Sequence, residues 1–397
     1  MAEAVIVSAV RTPIGRANKG VLKDVRADDL ASIAVRGALA RVPQLDHSLI
    51  EDLIFGCAFP EGEQGMNVAR IIVALSGLPE TVAGTTVNRF CASSLQAFNM
   101  AAQNIMLDMG DAYIAGGIEN MSRVPMGGYN PSFNPRLVQP DKDGNISPAS
   151  PAVEEYGYSS YMPMGITAEN LARDHHISRE EQDAFALRSH QRALAAIDNG
   201  TFAKEIVPVP LPNGKQMTTD EGPRRDTTLE RLATLEPAFI KGGTVTAGNS
   251  SPLNDGAAAI ILMSADKARE LGIKPLARVI TMAVNGVRPD VMGIGPVPAV
   301  KKALQRAKLQ LSDIDLIELN EAFAAQSLAV VKDLGIDEDK LNVHGGAIAL
   351  GHPQGCSGSR IVVTLLNALE THNKTMGLAT LCVGGGQGVA TIIERLA

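Results

Sequence analysis

The sequence predicts an α/β fold that is built from two similar halves. Short apolar segments rich in β-branched residues alternate with longer segments in which apolar residues recur at helical spacing, a pattern typical of a sheet covered by helices. Each half also contains a cysteine, then a helix, then a strand that ends in consecutive glycines. These are Cys91 and Gly116-Gly117 in the first half, and Cys356 and Gly384-Gly385-Gly386 in the second.

The first half is predicted to comprise residues 1–118 and 248–270. Its strands are expected up to Arg11 and at residues 51–58, 81–87, 111–118 and 257–263, and its helices at 28–41, at 66–76 and after Cys91. Because strands and helices alternate, we expect a largely parallel sheet.

Residues 119–247 are predicted to leave the first sheet as an excursion. The stretch from Met121 to Met164 is rich in Pro, Gly, Asn, Ser and Met, and such a long irregular segment is typical of a functional covering loop. Two helices should follow. A capping box, Ser178-Arg179-Glu180-Glu181, predicts the start of the second, which should end near residue 199, before a strand at 205–211.

The second half is predicted to comprise residues 271–397. Strands are expected at 276–284, 314–319, 379–383 and 389–396, and helices at 298–308, 321–334 and 356–369. Two copies of one α/β unit would place their glycine-rich strand ends and helix starts around one central cleft.

Composition and charge exclude several classes of protein. The net charge is −7 and no basic run exceeds two residues, which argues against a nucleic-acid partner. No window approaches the 18 consecutive apolar residues of a membrane span, and the acidic start predicts a first strand, not a signal peptide. The four cysteines lack paired metal-binding spacing, so we expect no metal site, and reduced thiols favour a cytoplasmic setting.

Cys91 lies where a predicted strand turns directly into a helix. Unpaired N–H groups at a helix start favour the thiolate, which is the nucleophilic form of cysteine, so we expect a lowered pKa at Cys91. A buried cysteine is otherwise an ordinary small apolar residue, and this stretch alone favours that alternative.

Further motifs favour a nucleophilic Cys91 over an ordinary buried cysteine. They are Arg11-Thr12-Pro13-Ile14-Gly15, Thr246-Ala247-Gly248-Asn249-Ser250-Ser251, Asn320-Glu321-Ala322-Phe323, the glycine-rich segment 345–358 around His352, and Cys382-Val383-Gly384-Gly385-Gly386. In this order and spacing they resemble the thiolases over essentially the whole chain, and most of all the 3-ketoacyl-CoA (acetyl-CoA C-acyltransferase) group. The resemblance implies a layered α-β-α-β-α core with an inserted loop domain.

The resemblance also implies the catalytic roles. Cys91 would be the nucleophile that becomes acylated, and His352 would take its proton and then help bind an oxyanion. Cys382 would be the second acid and base. Asn320 would hold a water in the first oxyanion site, and the backbone N–H groups of Cys91 and Gly384 would form the second. Without the motifs, His352 would be a turn residue, Cys382 a core residue and Asn320 a helix cap.

Thiolases cleave 3-ketoacyl-CoA with coenzyme A, which is a substrate and not a permanently bound cofactor. By resemblance, Arg224 would face the nucleotide end of coenzyme A and Ser251 would hydrogen-bond the pantetheine arm, while Met164, Phe239 and Phe323 would line its channel. An arginine beside phosphate and apolar groups beside the arm are chemically reasonable. Relatives also imply a homodimer or homotetramer. Cys57 and Cys356 are interpreted as structural.

Three departures from the family pattern stand out. His344 replaces a common asparagine and could shift the pKa of His352 or, as we favour, merely replace one hydrogen bond. Ser94 replaces a common glycine beside the nucleophile, which leaves the acyl-chain preference open. Pro163 replaces a histidine usual in biosynthetic relatives, which favours a degradative role in fatty acid β-oxidation.

Three rival functions remain at this point. A biosynthetic acetyl-CoA C-acetyltransferase that forms acetoacetyl-CoA is the nearest, because the chemistry is reversible. Ketoacyl-ACP synthases share the fold, but Asn320 stands where they have a second histidine. A non-catalytic acyl-CoA or lipid carrier on the same scaffold would not require Cys91, His352 and Cys382 together.

Overall fold

The computed structural model describes residues 2–140, 150, 153, 157 and 159–396. Its strands are β1 (Ala4–Arg11), β2 (Gly15–Arg16), β3 (Ile50–Gly56), β4 (Ala83–Val87), β5 (Ala112–Asn120), β6 (Val209–Pro210), β7 (Gln216–Met217), β8 (Asn254–Ser264), β9 (Ala277–Gly286), β10 (Leu316–Leu319), β11 (Met376–Val383) and β12 (Gln387–Arg395). Its α-helices are α1 (Ala27–Leu39), α2 (Val68–Leu75), α3 (Ser93–Met106), α4 (Met164–Asp174), α5 (Arg179–Asp198), α6 (Leu229–Ala233), α7 (Ala265–Glu270), α8 (Pro296–Ala307), α9 (Ala324–Leu334), α10 (Ala347–Leu350) and α11 (Gln354–Thr371).

The two halves repeat one strand order. The main sheet runs β10-β11-β12-β9-β1-β8-β5-β3-β4, so β1-β8-β5-β3 in the first half matches β9-β12-β11-β10 in the second. The pairings match as well, being antiparallel, antiparallel and parallel in each half. The halves join where β1 pairs with β9, at Val5 and Arg278. The duplication is therefore visible in the topology.

The expectation of a largely parallel sheet is wrong. Within the described residues of the main sheet, only the pairs β3–β4, β3–β5 and β10–β11 are parallel. The reason is local in the second half, where β11 and β12 are joined by the three residues Gly384, Gly385 and Gly386. A connection this short permits only an antiparallel pair. Gly385 and Gly386 have φ of +77° and +85°, which suits glycine.

Alternating side chains divide the core into layers. In the first half, Leu53 and Ile261 face α1 and α2, whereas Ile54 and Ile260 face α3 and α11. In the second half, inward side chains such as Leu381 also pack on α3 and α11, and the opposite face packs on α8 and α9. Helices α3 and α11 thus form a central layer between the two half-sheets.

These two central helices cross at very close range. A Cβ atom added at Gly358 of α11 would overlap the backbone nitrogen of Leu95 in α3. The N–H of Ser359 donates to Ser94 Oγ at 2.8 Å, and both serines are fully buried. Ser94 therefore supports the helix crossing and does not line a surface open to substrate, so it gives no basis for an acyl-chain preference.

The excursion differs from its prediction. Only Val209–Pro210 forms a strand in the predicted range 205–211, because Pro208, Pro210 and Pro212 remove the backbone donors that a longer strand needs. Within the irregular stretch 121–164, the expectation of a covering loop falls partly outside the described residues, at 141–149, 151–152, 154–156 and 158. Across the described ranges, every helix is too short or too polar to cross a bilayer.

The helix crossing can be tested by replacing Gly358 with alanine. In an open helix this change would stabilise the protein by up to about 1 kcal/mol, but here the overlap with α3 should produce a net loss of about 1–3 kcal/mol. We expect the thermal unfolding midpoint to fall. Gly286→Ala is the control, because a Cβ there meets nothing closer than 3.9 Å. A raised midpoint for Gly358→Ala would contradict the close crossing.

Candidate active site

Cys91, the predicted nucleophile, lies on a strained turn between β4 and α3. Residues Phe90–Ala92 form a 3-10 turn, in which Phe90 has a φ of +41°, an uncommon value for an aromatic residue. The turn is held because Asn88 Oδ1 accepts the N–H of Phe90 at 2.8 Å and Ser93 Oγ donates to its carbonyl at 2.6 Å. Cys91 follows Phe90 directly, and its side chain is buried.

The Cys91 sulfur lies beside two backbone donors. The N–H groups of Gly384 and of Cys91 itself hydrogen-bond to it and favour the thiolate, but burial outweighs them and raises the pKa of Cys91 to about 11. The expected lowering of this pKa by the start of α3 is therefore wrong. The free-energy cost of removing the thiolate from water is larger than the stabilisation that the two N–H groups provide.

Cys382 shares this pocket. Burial raises the pKa of Cys382, and the proximity of Cys91 raises it further. Cys382 is the penultimate residue of β11, immediately before the turn that carries Gly384. The structure thus brings together three of the predicted site residues, Cys91, Cys382 and Gly384, from two distant parts of the sequence.

His352 lies in the loop before α11. Its backbone N–H donates to Asn254 Oδ1 at 2.9 Å, and its ring Nδ1 lies 2.6 Å from Ser357 Oγ. Burial and, to a smaller extent, the nearby Arg360 cation lower the pKa of His352 to about 3. The imidazole is therefore neutral at physiological pH and has a lone pair available to accept a proton.

Asn320 connects the histidine to the β11 strand. It follows β10, where its N–H donates to Thr380 O at 3.0 Å, and its Nδ2 lies 3.4 Å from His352 Nε2. Asn320 Oδ1 is buried and has no hydrogen-bond partner among the residues that the structure describes, which leaves an acceptor for a buried water. Helix α9 is capped by Phe323, so the helix-cap alternative for Asn320 is wrong.

Two buried carboxylates, missed as functional residues in the sequence, hold the loops in place. Glu119 accepts the N–H groups of Ala58 and Gly355, each at 2.8 Å, and so ties the end of β5 to the start of α11. Glu321 accepts the Ser189 hydroxyl at 2.6 Å. Burial raises the pKa of both carboxyls. In the sequence, Glu119 could have been found by its position two residues after Gly116-Gly117, and Glu321 by its place in the Asn-Glu-Ala-Phe motif.

A buried ion pair lies one helical turn beyond Ser357. Arg360 Nη1 is 3.2 Å from Glu318 Oε2, while Arg360 Nε, Arg360 Nη2 and Glu318 Oε1 have no partners. Burial raises the pKa of Glu318 to about 8, although Arg360 opposes the shift. The pair thus contributes the positive charge of Arg360 close to His352. Its polar atoms that have no partner among the described residues are sites for buried water.

The remaining cysteines pack in the interior. Cys57 Sγ accepts from Gln64 Nε2 at 3.4 Å, and burial raises the pKa of Cys356 to about 12. Among the residues that the structure describes, no cluster of His, Cys, Asp and Glu could hold a metal ion.

The residues predicted for the coenzyme A channel form a row that leads to Cys382. Phe239 is 42% exposed and its ring meets that of Phe323 edge-on, with centroids 5.9 Å apart. Phe323, Met164 and Cys382 belong to one apolar cluster. Ser251 lies beside this row, where its N–H donates to Ala322 O at 2.9 Å.

Arg224 lies apart from that row, on the segment before α6. Its side chain is exposed and pairs with no carboxylate in the described part of the chain. Its backbone N–H donates to His190 Nδ1 at 3.2 Å. The guanidinium is therefore available to an anionic group from solvent.

His344 is remote from His352, so both expectations for it are wrong. Its ring packs on those of Phe202 and His372, with centroids 6.1 and 5.3 Å away, and its Nδ1 has no hydrogen-bond partner. His372 caps the far end of α11, an 18-residue helix about 27 Å long, whereas His352 precedes its start. Burial lowers the pKa of His344 to about 4.

Comparison with known proteins identifies the family to which this chain belongs. Residues 4–266 match the model of the thiolase N-terminal domain, and residues 273–395 match that of the thiolase C-terminal domain. The chain belongs to the thiolase family. It is 50% identical to the 3-ketoacyl-CoA thiolase of Bacillus subtilis (strain 168), with 99% of this chain and 100% of the relative covered. It is also 50% identical to the 3-ketoacyl-CoA thiolase of Shewanella putrefaciens, with both chains fully covered.

Two solved thiolase structures are similar throughout. The Bacillus anthracis acetyl-CoA acetyltransferase is 42% identical with a TM-score of 0.88, over 100% of this chain and 99% of that one. Human mitochondrial 3-ketoacyl-CoA thiolase in complex with CoA is 39% identical with a TM-score of 0.88, over 100% and 98% of the two chains. The predicted thiolase fold is thus confirmed.

The position of His344 in this thiolase generates a pH prediction. A buried histidine with a pKa of about 4 stays neutral in the folded protein between pH 4 and 6.5, while the unfolded chain binds a proton there. Stability is therefore lost as the pH falls through this window, by about 2–3 kcal/mol at pH 4. We expect His344→Asn to lose less thermal stability between pH 7.5 and pH 5 than the natural chain, and to retain full activity at pH 7.5. An unchanged pH dependence, or lost activity, would contradict the assignment.

Proposed function

We propose that this thiolase cleaves 3-ketoacyl-CoA with coenzyme A, releasing acetyl-CoA and a shortened acyl-CoA, in fatty acid β-oxidation. The observation that carries the proposal is the proximity of two buried thiols, Cys91 and Cys382, with the backbone N–H of Gly384 hydrogen-bonded to the Cys91 sulfur. Full-length identity of 50% to proteins named 3-ketoacyl-CoA thiolase supports the same substrate class.

In the first half-reaction, Cys91 attacks the ketone carbon of the substrate. Its proton passes to His352 as the carbon–sulfur bond forms. The bond between the second and third carbons of the substrate then breaks, and its electron pair leaves as the enolate of acetyl-CoA. Cys382 gives its proton to that carbon, so acetyl-CoA departs while the shortened acyl group remains on Cys91 as a thioester.

In the second half-reaction, coenzyme A takes the place of acetyl-CoA. Its thiol proton passes to the Cys382 thiolate, and the resulting sulfur anion attacks the acyl carbon. The thioester bond to Cys91 breaks, and the proton held by His352 returns to the Cys91 sulfur. Both cysteines and the histidine are thereby restored, and no net proton is taken up or released.

Two sets of donors would stabilise the oxyanions. A water held by Asn320 Oδ1 and the protonated His352 would serve the oxygen of the thioester enolate, because Asn320 Oδ1 is buried without a partner among the described residues and its amide adjoins the histidine. The N–H groups of Cys91 and Gly384 would serve the oxygen of the acyl group on Cys91. Loss of one such donor typically costs about 3 kcal/mol in the transition state.

The channel formed by Phe239, Phe323 and Met164 is proposed to hold the pantetheine arm, with Ser251 as a hydrogen-bonding partner. Its apolar walls lead from an exposed ring to Cys382. Arg224 is proposed to face the nucleotide phosphates, since its guanidinium is exposed and not paired with a carboxylate in the described residues.

A homodimer or homotetramer, formed through the edge of the first half-sheet, is proposed as the assembled state. Strand β4 ends the sheet and pairs only with β3 in the described residues. Met66, tied to this edge through its neighbour Asn67, is 91% exposed. An unpaired edge flanked by exposed apolar side chains favours association. A cytoplasmic location is also proposed, because all four cysteines are free thiols.

Replacing Cys91 with alanine should abolish turnover and the acyl-enzyme adduct. We expect intact-protein mass spectrometry of the natural chain, mixed with 3-ketoacyl-CoA alone, to show one added acyl group, and the Cys91→Ala protein to show none. Cys356→Ala is the matched control, because that thiol is equally buried and takes no part in the reaction. Normal thiolysis by Cys91→Ala would refute the mechanism, and an inactive natural chain would favour a non-catalytic carrier.

The degradative assignment predicts activity on long substrates. In an apolar channel each buried methylene contributes about 0.8 kcal/mol, so kcat/KM for a ten-carbon 3-ketoacyl-CoA should equal or exceed that for acetoacetyl-CoA. Initial rates of thiolysis on four-, ten- and sixteen-carbon substrates provide the measurement. Activity confined to acetoacetyl-CoA would instead favour the biosynthetic acetyl-CoA C-acetyltransferase.

The assembly proposal predicts a mass of two or four chains by light scattering at micromolar concentration. Asn67→Asp and Thr85→Glu would place negative charges along the proposed edge and should shift the protein toward monomer. A natural chain that is monomeric would remove the proposal.

A further inference from the structure

The two ring nitrogens of His352 have different surroundings. Ser357 Oγ lies 2.6 Å from Nδ1, and the same oxygen donates to the carbonyl of Pro353 at 2.9 Å. Asn320 Nδ2 lies 3.4 Å from Nε2 and 3.5 Å from Nδ1, so the difference between the two nitrogens comes from Ser357 alone. Ser357 is fully buried, so water does not compete for its hydroxyl.

These contacts determine which nitrogen carries the proton. Both contacts of the Ser357 oxygen are hydrogen bonds at the same time in only one arrangement: because a carbonyl oxygen can only accept, the single hydrogen of the hydroxyl goes to Pro353 O. The serine oxygen then has only lone pairs to offer His352, and Nδ1 must be the N–H donor. In a neutral imidazole the other nitrogen, Nε2, is left with the lone pair.

We propose that Ser357 is a positioning residue that holds neutral His352 in its Nδ1–H form, so that Nε2 is the base that accepts the proton of Cys91. This inference rests on the proposed function. Ser357 touches neither substrate nor sulfur in this account and acts only through the imidazole.

The helix makes this arrangement rigid. Pro353 lies immediately before the first residue of α11, and its carbonyl accepts both the N–H of Ser357, at 2.9 Å, and its hydroxyl. A serine bonded back to the carbonyl four residues earlier has one preferred side-chain orientation, and threonine can form the same bond. The serine oxygen is therefore presented to Nδ1 by the helix backbone itself.

The surrounding charges favour return of the proton. When Nε2 accepts a proton, the imidazolium lies near the Arg360 cation of α11, and Glu318 of β10 compensates that cation only in part, through one contact at 3.2 Å. Asn320 faces the ring from the end of β10 and carries no charge. Ser357 keeps its role in both states, because Nδ1 remains an N–H donor throughout the cycle.

Ser357→Ala tests the inference. Removing the oxygen leaves Nδ1 without an acceptor and permits the other tautomer, so we expect kcat to fall about 10- to 100-fold, the scale typical of losing a group that orients a histidine. KM for both substrates should stay within about twofold, because binding groups are untouched. Ser357→Thr retains the oxygen and should restore most of kcat. Ser8→Ala is the matched control, because Ser8 is another buried serine whose hydroxyl donates to a backbone carbonyl, that of Ala38 at 2.8 Å, but it lies in β1 and makes no contact with His352; it should keep the natural kcat.

The tautomer is read directly from ¹⁵N chemical shifts of histidine-labelled protein at pH 7, with the His352 signals assigned by their loss in His352→Asn. The natural chain should show a protonated Nδ1, and Ser357→Ala a mixture or the Nε2–H form. A protonated Nε2 in the natural chain, or a Ser357→Ala protein with unchanged kcat, would overturn the inference. If Ser357→Ala unfolds, the shifts of the natural chain alone decide. An inactive natural chain would instead be a failure of the proposed function.

Discussion

The close crossing of α3 and α11 is the constraint on which the site depends. Cys91 precedes one helix and His352 the other, so their separation is determined by how nearly the two helix axes approach. Gly358 permits that approach, and a hydrogen bond of 2.8 Å from the backbone N–H of Ser359 to Ser94 Oγ holds the two helices together. The packing of two half-sheets on the same helix pair then brings the β11 turn with Cys382 and Gly384 to the same place.

The site is buried away from bulk solvent, and this sets its electrostatics. Burial raises the pKa of the Cys91 thiol to about 11 and lowers that of the His352 imidazole to about 3, so both are uncharged before substrate binds. Charge develops only during reaction, where N–H groups already point at the sulfur. Donors oriented in advance in a low-dielectric site stabilise developing charge without reorganisation. The reactivity of Cys91 therefore depends on stabilisation of the transition state more than on a thiolate that is present before the substrate binds.

The sequence predicted the order of most elements and the set of residues that converge. It could do so because helical periodicity marks the helices, and because Cys91, His352, Cys382 and Asn320 lie in glycine-rich segments that recur in a known family. Strand direction was predicted wrongly, because alternation of strands and helices says little about β8 and β12, which enter each half-sheet antiparallel. The catalytic assignments themselves remain proposals.

Properties set by tertiary contact were also missed. The pKa of Cys91 depends on burial, which the helix start alone does not reveal. His344 lies close in sequence to the active loop but packs near His372 at the other end of α11. Glu119 lies close to the Gly116-Gly117 pair, but the groups that it binds come from other segments of the chain. Ser357 lies within the glycine-rich motif, but its contact with His352 depends on the orientation of its side chain. The spacing of residues in the sequence shows neither contact.

Cys91 and Cys382 share one pocket in this structure, and a short dithiol-bridging reagent such as dibromobimane tests their proximity most directly. After treatment and proteolysis, peptide mass spectrometry should find one bimane bridge joining the peptides of Cys91 and Cys382, and prior loading with coenzyme A should slow its formation. Separate adducts on the two cysteines, or a bridge from Cys91 to Cys57 or Cys356 in the folded protein, would contradict the account.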